Sequence, residues 1–254
     1  MKLGVYQCAA AGRSPDERLA VLDRCMTGRR LDLLVCPELF LSGYNAGEAH
    51  QRLAETPETG PFAGGIKALA ERHGTAIAYG YPEQGEGVLY NSVALVDARG
   101  RVLANHRKRL PAPGSFEENV FADGAGVTFA DLGDWRLAMI ICYEVEFPES
   151  LRQAARGGAN LVIVPTALGA DWGVVAEHVV PVRAFENGIW LAYAGHAGEE
   201  GGARYYGGSR IADPMGRVVA EAGQAETVIE AALSLDAVTM AQARLPYLRD
   251  CVRL

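Results

Sequence analysis

The 254-residue sequence has no Cys-x-x-Cys pair, and its five cysteines, Cys8, Cys25, Cys36, Cys142 and Cys251, are odd in number and far apart. That spacing argues against both a disulfide framework and a thiolate zinc site. There is no His-x-His and no His-Glu-x-x-His, and neither a glycine fingerprint nor a phosphate loop, so no metal and no cofactor are expected. No dense run of basic residues occurs along the chain: 24 Lys and Arg face 31 Asp and Glu, a net charge of −7, which argues against a nucleic-acid partner. No apolar run reaches the roughly 18 residues needed to cross a bilayer. Met1-Lys2 lead straight into a strand-like segment without a signal-peptide core, and the expectation is a cytoplasmic protein with no membrane partner.

What is present is ordinary globular material. A hydrophobic content of 49% with 22% charged residues suits a chain with a sizeable buried core, not a disordered one. Short runs of Val, Leu, Ile and Tyr alternate with amphipathic stretches, an α/β texture without a low-complexity linker. Ser14-Pro15-Asp16-Glu17 predicts a helix start with an N-cap hydroxyl, proline at the first helical position and a capping-box glutamate. Leu19, Leu22 and Met26 mark its buried face. Strands are expected at 3–8, 33–36, 76–80, 92–96, 102–105, 137–142, 161–164, 189–194, 209–212 and 228–233, among about five helices.

Two echoes give the pattern more shape. Asp32-Leu33-Leu34-Val35-Cys36-Pro37 is matched by Asn160-Leu161-Val162-Ile163-Val164-Pro165, and Asp97-Ala98-Arg99-Gly100-Arg101-Val102 by Asp213-Pro214-Met215-Gly216-Arg217-Val218. The second pair reads as two hairpin turns. The expected fold is therefore a single α/β domain over residues 1–254: a four-layer α-β-β-α sandwich with an internal pseudo-two-fold repeat.

Three strand ends carry reactive side chains, where α/β sheets commonly place their sites. They are Glu38 after Pro37, Lys108 within His106-Arg107-Lys108-Arg109-Leu110, and Cys142 within Ile141-Cys142-Tyr143-Glu144. Each alone has an ordinary explanation: a solvated carboxylate, a charged turn, a packed thiol. Together they make chemical sense. A thiol of ordinary pKa is protonated at neutral pH and needs a base or a positive neighbour to attack. Cleaving an amide also requires donors for a tetrahedral oxyanion, which an ammonium and a backbone N–H at a turn can supply.

With these motifs in order, the chain resembles the nitrilase superfamily of carbon–nitrogen hydrolases. Further matching segments run from Asn160 to Thr166, through Arg183-Ala184-Phe185-Glu186-Asn187, and at Gly208-Ser209 with Asp213-Pro214-x-Gly216, so the likeness covers nearly the whole length. The resemblance implies that Glu38 is the general base, Lys108 the oxyanion-stabilising cation, Cys142 the nucleophile and the Tyr143 N–H a second oxyanion donor. It also implies another glutamate ahead of Phe121-Ala122-Asp123-Gly124: Glu117 by count, with Glu118 the adjacent alternative. Where the family often has Lys-x-His-Leu, this chain has Lys108-Arg109-Leu110.

The overall pattern is most similar to bacterial amidases acting on amino-acid amides, with a small-molecule amide as partner. Some relatives that bind acidic substrates carry an arginine after the cysteine, whereas here Glu144-Val145-Glu146 offers negative charge, which favours neutral or amine-bearing amides. Glu144, Trp172 and His196 are placed with the substrate-binding residues. Attack on a nitrile or an N-carbamoyl amide with the same triad, and a catalytically silent scaffold, are the alternatives. A Cys–His hydrolase would need a histidine in a recognisable nucleophile motif, and none is present. The resemblance also implies a homodimer or higher homo-oligomer.

Overall fold

The computed structural model describes residues 1–253. Its first half alternates β1 (Lys2–Ala10), α1 (Pro15–Met26), β2 (Leu33–Val35), α2 (Ala49–Leu53), α3 (Pro61–His73), β3 (Ala76–Gln84), β4 (Leu89–Val96), β5 (Val102–Arg107) and the single turn α4 (Glu117–Val120). The second half runs β6 (Thr128–Leu132), β7 (Trp135–Met139), α5 (Pro148–Arg156), β8 (Leu161–Pro165), α6 (Val180–Asn187), β9 (Trp190–Ala194), β10 (His196–Glu200), β11 (Ala203–Tyr206), β12 (Arg210–Ala212), β13 (Val218–Glu221), β14 (Thr227–Ala232), α7 (Leu235–Arg244) and α8 (Tyr247–Asp250). A 3₁₀ turn, Cys142–Glu146, joins β7 to α5. The capping box at Ser14 and Glu17 forms as its sequence predicts. Among the described residues no helix is long and apolar enough to cross a membrane.

The strands form two sheets. One orders β11-β10-β1-β2-β3-β4-β5 with β14 antiparallel to β1, and the other β13-β12-β9-β8-β7-β6. The halves repeat one topology: β1, β2 and β3 are parallel, with β4 and β5 antiparallel beside them, and β7, β8 and β9 are parallel, with β12 and β13 antiparallel beside them. The echoed hexamers occupy equivalent places. In each hairpin the aspartate carboxylate accepts from two backbone N–H groups, Arg99 and Arg101 for Asp97, Met215 and Arg217 for Asp213. Gly100 and Gly216 take left-handed φ values of 72° and 77°.

Alternation along the strands explains the layering. Leu3, Val5 and Val35 of the first sheet meet Leu137, Met139 and Ile163 of the second in a shared core. Their neighbours Tyr6, Leu34 and Ile77 face outward against Leu22 of α1 and Phe62 and Ile66 of α3. On the far side Ala138, Val162 and Leu191 pack on Leu151, Ala154 and Ala184 of α5 and α6. The result is the expected α-β-β-α sandwich.

All ten expected strands form, but β6, β10, β11 and β13 were not anticipated. Three of them lie at sheet edges, where polar residues and short runs hide the pattern. The strand expected to reach Cys142 ends at Met139, so the thiol sits on a turn instead. His196, which follows β9, opens β10.

Candidate active site

Just beyond β2 the chain turns sharply at Leu39, whose φ of 47° is left-handed. A non-glycine residue holds that conformation only under constraint from its surroundings. Ser42 and Gly43 donate backbone N–H groups to the Leu39 carbonyl. Gly80 of β3 crosses so closely that a Cβ there would sit 2.4 Å from both Pro37 O and Leu39 N, so the position demands glycine. His196 completes the clamp. Its Nε2 donates to the Glu38 carbonyl at 2.7 Å, and its Nδ1 lies 3.1 Å from Cys8 Sγ. Burial pushes the imidazole down to about 4 and the Cys8 thiol up to about 12, so both groups are neutral.

The clamped turn presents a fully buried Glu38 carboxylate. Lys108, just past β5, places Nζ 2.7 Å from Glu38 Oε1 and 2.8 and 2.7 Å from the two oxygens of Glu117. Asn91 Nδ2 donates to both acids, at 2.7 Å to Glu38 and 2.6 Å to Glu117, while Ala112 N donates to Glu117 Oε2. Within this cluster Glu38 Oε2 and Asn91 Oδ1 have no hydrogen-bond partner. Burial raises the Glu38 carboxyl to about 7, against the pull of Lys108. Burial also opposes charge on Glu117, but Lys108, Ala112 N and Asn91 outweigh it and hold this group low. Lys108 stays a cation: burial would lower it, and the surrounding anions more than reverse that.

Cys142 enters from the second sheet, also at a left-handed φ, 48°. The residue is partly exposed, and its thiol lies 3.1 Å from Thr166 Oγ1, which in turn is 3.0 Å from the buried Tyr193 hydroxyl. Burial and the Glu38 carboxylate push the thiol up to about 12, with Lys108 opposing. Tyr143 lies in the first turn of the 3₁₀ element, where backbone N–H groups have no helical acceptor of their own. Its ring packs edge-on against Phe147.

The structure thus brings Glu38, Lys108, Glu117 and Cys142 together. Glu118 is exposed and accepts from Gly114 N instead. Two other expectations, those for Glu144 and His196, are corrected. Glu144 is 0% exposed, and its oxygens are taken by Ile141 N, His106 Nε2 and the Arg109 backbone and side chain, leaving none for a substrate. The negative charge expected after the nucleophile is therefore reduced to Glu146. Trp172 is 62% exposed on a surface turn. His196 stands behind Glu38 with both ring nitrogens engaged.

Sequence reading missed Asn91, Thr166, Tyr193, His106 and Arg109. One signal was available: Thr166 follows Pro165 as Glu38 follows Pro37, so the internal echo already placed it at a site-facing strand end. Asn91 carries no such mark, because a single asparagine near the start of an apolar strand looks like an edge residue.

A two-sheet sandwich that gathers a thiol, two carboxylates and an ammonium at its strand ends belongs to the α-β-β-α hydrolases. More particularly, residues 13–243 match the carbon-nitrogen hydrolase family model, and the chain belongs to that family and acts on amides. It is 41% identical over 254 residues to "Hydrolase in pqqF 5'region" of Pseudomonas protegens, covering 98% of this chain and 88% of the relative. An (R)-stereoselective amidase of a Pseudomonas species is 33% identical over 220 residues, 86% of this chain and 79% of the relative. Among solved structures, an amidase from Nesterenkonia sp. AN1 superposes with a TM-score of 0.85 at 31% identity, covering 97% of this chain and 96% of that one.

Proposed function

We propose that the protein hydrolyses small aliphatic or amino-acid amides to the carboxylic acid and ammonia through a Cys142 thioester. The observation that carries this reading is the division of labour within Glu38: one oxygen is committed to Lys108 and Asn91 while the other is free to take a proton. With its thiol raised, Cys142 rests protonated and loses its proton to Glu38 as it attacks the amide carbonyl. The tetrahedral oxyanion is stabilised by Lys108 and the Tyr143 N–H. Glu38 returns the proton to the leaving nitrogen, and ammonia departs as the carbonyl re-forms on sulfur. Water, deprotonated by Glu38, then attacks the thioester, and Cys142 leaves with a proton as the acid is released. Glu117 keeps Lys108 charged and held in place.

The substrate class is supported by similarity. The Nesterenkonia amidase has been captured with butyramide in a cysteine-to-alanine variant, and with acrylamide added at its active-site cysteine. The stereoselective Pseudomonas relative supports a chiral amide, and Tyr143-Glu144-Val145-Glu146 carries no arginine after the cysteine to clamp an acidic substrate. The test is ammonia release across butyramide, amino-acid amides, ω-amides of dicarboxylates, nitriles and N-carbamoyl compounds, with Cys142→Ala as the blank. Turnover confined to neutral and amine-bearing amides supports the reading, and a clear preference for nitriles, carbamoyl compounds or ω-amides overturns it.

A further inference from the structure

Glu144 was expected at the substrate, and its geometry gives it a different task. Its Oε2 accepts from Ile141 N at 2.7 Å and lies 3.0 Å from His106 Nε2, while Oε1 accepts from Arg109 Nε at 2.6 Å and Arg109 N at 3.3 Å. These partners bracket the reacting groups. Ile141 immediately precedes Cys142, His106 stands two residues before Lys108, and Arg109 directly follows it. Lys108 is carried by the first sheet and Cys142 by the second, so one buried carboxylate joins the two strand ends that must cooperate. The junction is braced from both sides: His106 Nδ1 lies 3.1 Å from Thr128 Oγ1 of β6, and Arg109 Nη2 donates to Ser150 Oγ of α5 at 2.9 Å.

We propose that Glu144 is a positioning residue for amide cleavage, fixing the left-handed Cys142 turn against the Lys108 segment across the two sheets. The inference rests on the reading that Cys142 and Lys108 act on the same amide. Its physical basis is the steep dependence of rate on geometry, since a displacement of about 1 Å between reacting groups can cost about a hundredfold. Buried charge pairs are not dependable sources of stability, whereas removing one member leaves the others unpaired and free to shift.

The test compares the full-length wild type with Glu144→Gln and with Arg109→Gln, whose side chain is only partly buried. Three quantities are measured on each: thermal unfolding, kcat and KM for butyramide, and the pH profile of Cys142 alkylation by iodoacetamide, with Cys142→Ala as the blank for the other thiols. The charged groups facing the thiol are Glu38, Lys108 and Glu117. If Glu144 positions, folded Glu144→Gln loses about a hundredfold in kcat with little change in KM. Its alkylation midpoint moves up as the Lys108 ammonium is released from its place. Arg109→Gln shifts both quantities in the same direction by less. A folded Glu144→Gln with wild-type kcat and alkylation profile overturns the proposal. If Glu144→Gln does not fold, Arg109→Gln decides: a shifted profile supports positioning, and an unchanged one overturns it. Alkylation reads the Lys108–Cys142 relationship without turnover. Failure of the catalytic reading shows separately, as amide hydrolysis surviving in Cys142→Ala.

Discussion

Lys108 Nζ lies 2.7 Å from Glu38 Oε1, both side chains buried, while the second Glu38 oxygen is left without a partner. A carboxylate so placed is neither fully neutralised by its cation nor free to be solvated, and burial raises it to about 7. The expected consequence is a pH profile. A base must be deprotonated to act, so kcat/KM for an amide should fall about tenfold per pH unit below pH 7 and level off above it. Glu38→Gln should lower kcat by about 10²–10⁴-fold and abolish this limb. Initial rates from pH 5 to 9 check both.

Glu117 and Glu118 are neighbours with different surroundings, one against Lys108 and the other in solvent. Glu117→Gln should cut kcat/KM by at least about tenfold, because the cation loses one of its two anionic partners and moves. Glu118→Gln should stay within about twofold of wild type, the usual outcome for a solvated surface change. Steady-state kinetics on the same amide decide it, and equal losses at both positions would reverse the assignment.

Thr166 links the thiol to the buried Tyr193 hydroxyl. Thr166→Val preserves shape and removes the link, leaving the tyrosine O–H without its partner. The expected cost is about 1–3 kcal/mol of stability, read from denaturant unfolding, together with a lower kcat. Pairing Thr166→Val with Tyr193→Phe should recover most of that stability, since both unmatched groups are then gone.

Away from the site, Glu226 accepts from Tyr6 OH, Ala9 N and the Arg13 guanidinium. Burial opposes its charge, but the Arg13 and Tyr6 bonds outweigh it and pull the carboxyl down to about 2. Its folded pKa is below the unfolded value of about 4.3, so its contribution is complete above that value and is lost as pH falls toward 2. Partial exposure holds the contribution to about 1 kcal/mol. The melting difference between wild type and Glu226→Gln should therefore be present at pH 7 and shrink by pH 3.

The layers of the fold were legible because their signals are local. Unbroken runs such as Leu33-Leu34-Val35 and Leu161-Val162-Ile163-Val164 belong to parallel strands buried on both faces, and the paired hexamers revealed the duplication. Glu38, Lys108 and Cys142 could be named because each lies within three residues of a strand end and their order resembles that of the nitrilase superfamily. Glu144 and His196 could be named but not correctly placed, for a common reason. Whether a polar side chain faces a cavity or spends its lone pairs inside the protein depends on residues far away in sequence. Glu144 is met by His106 and Arg109, His196 by Cys8 and the Glu38 carbonyl, and no spacing along the chain encodes those meetings.

In the proposed mechanism Cys142 carries the acyl group of the amide. The most direct test is intact-mass measurement of enzyme quenched in acid during butyramide turnover, beside ammonia release by wild type and Cys142→Ala. The expected result is a butyryl adduct localised to Cys142, rapid ammonia release by wild type, and neither signal in the folded alanine variant. Ammonia release persisting in Cys142→Ala, or an adduct on another residue, would contradict it.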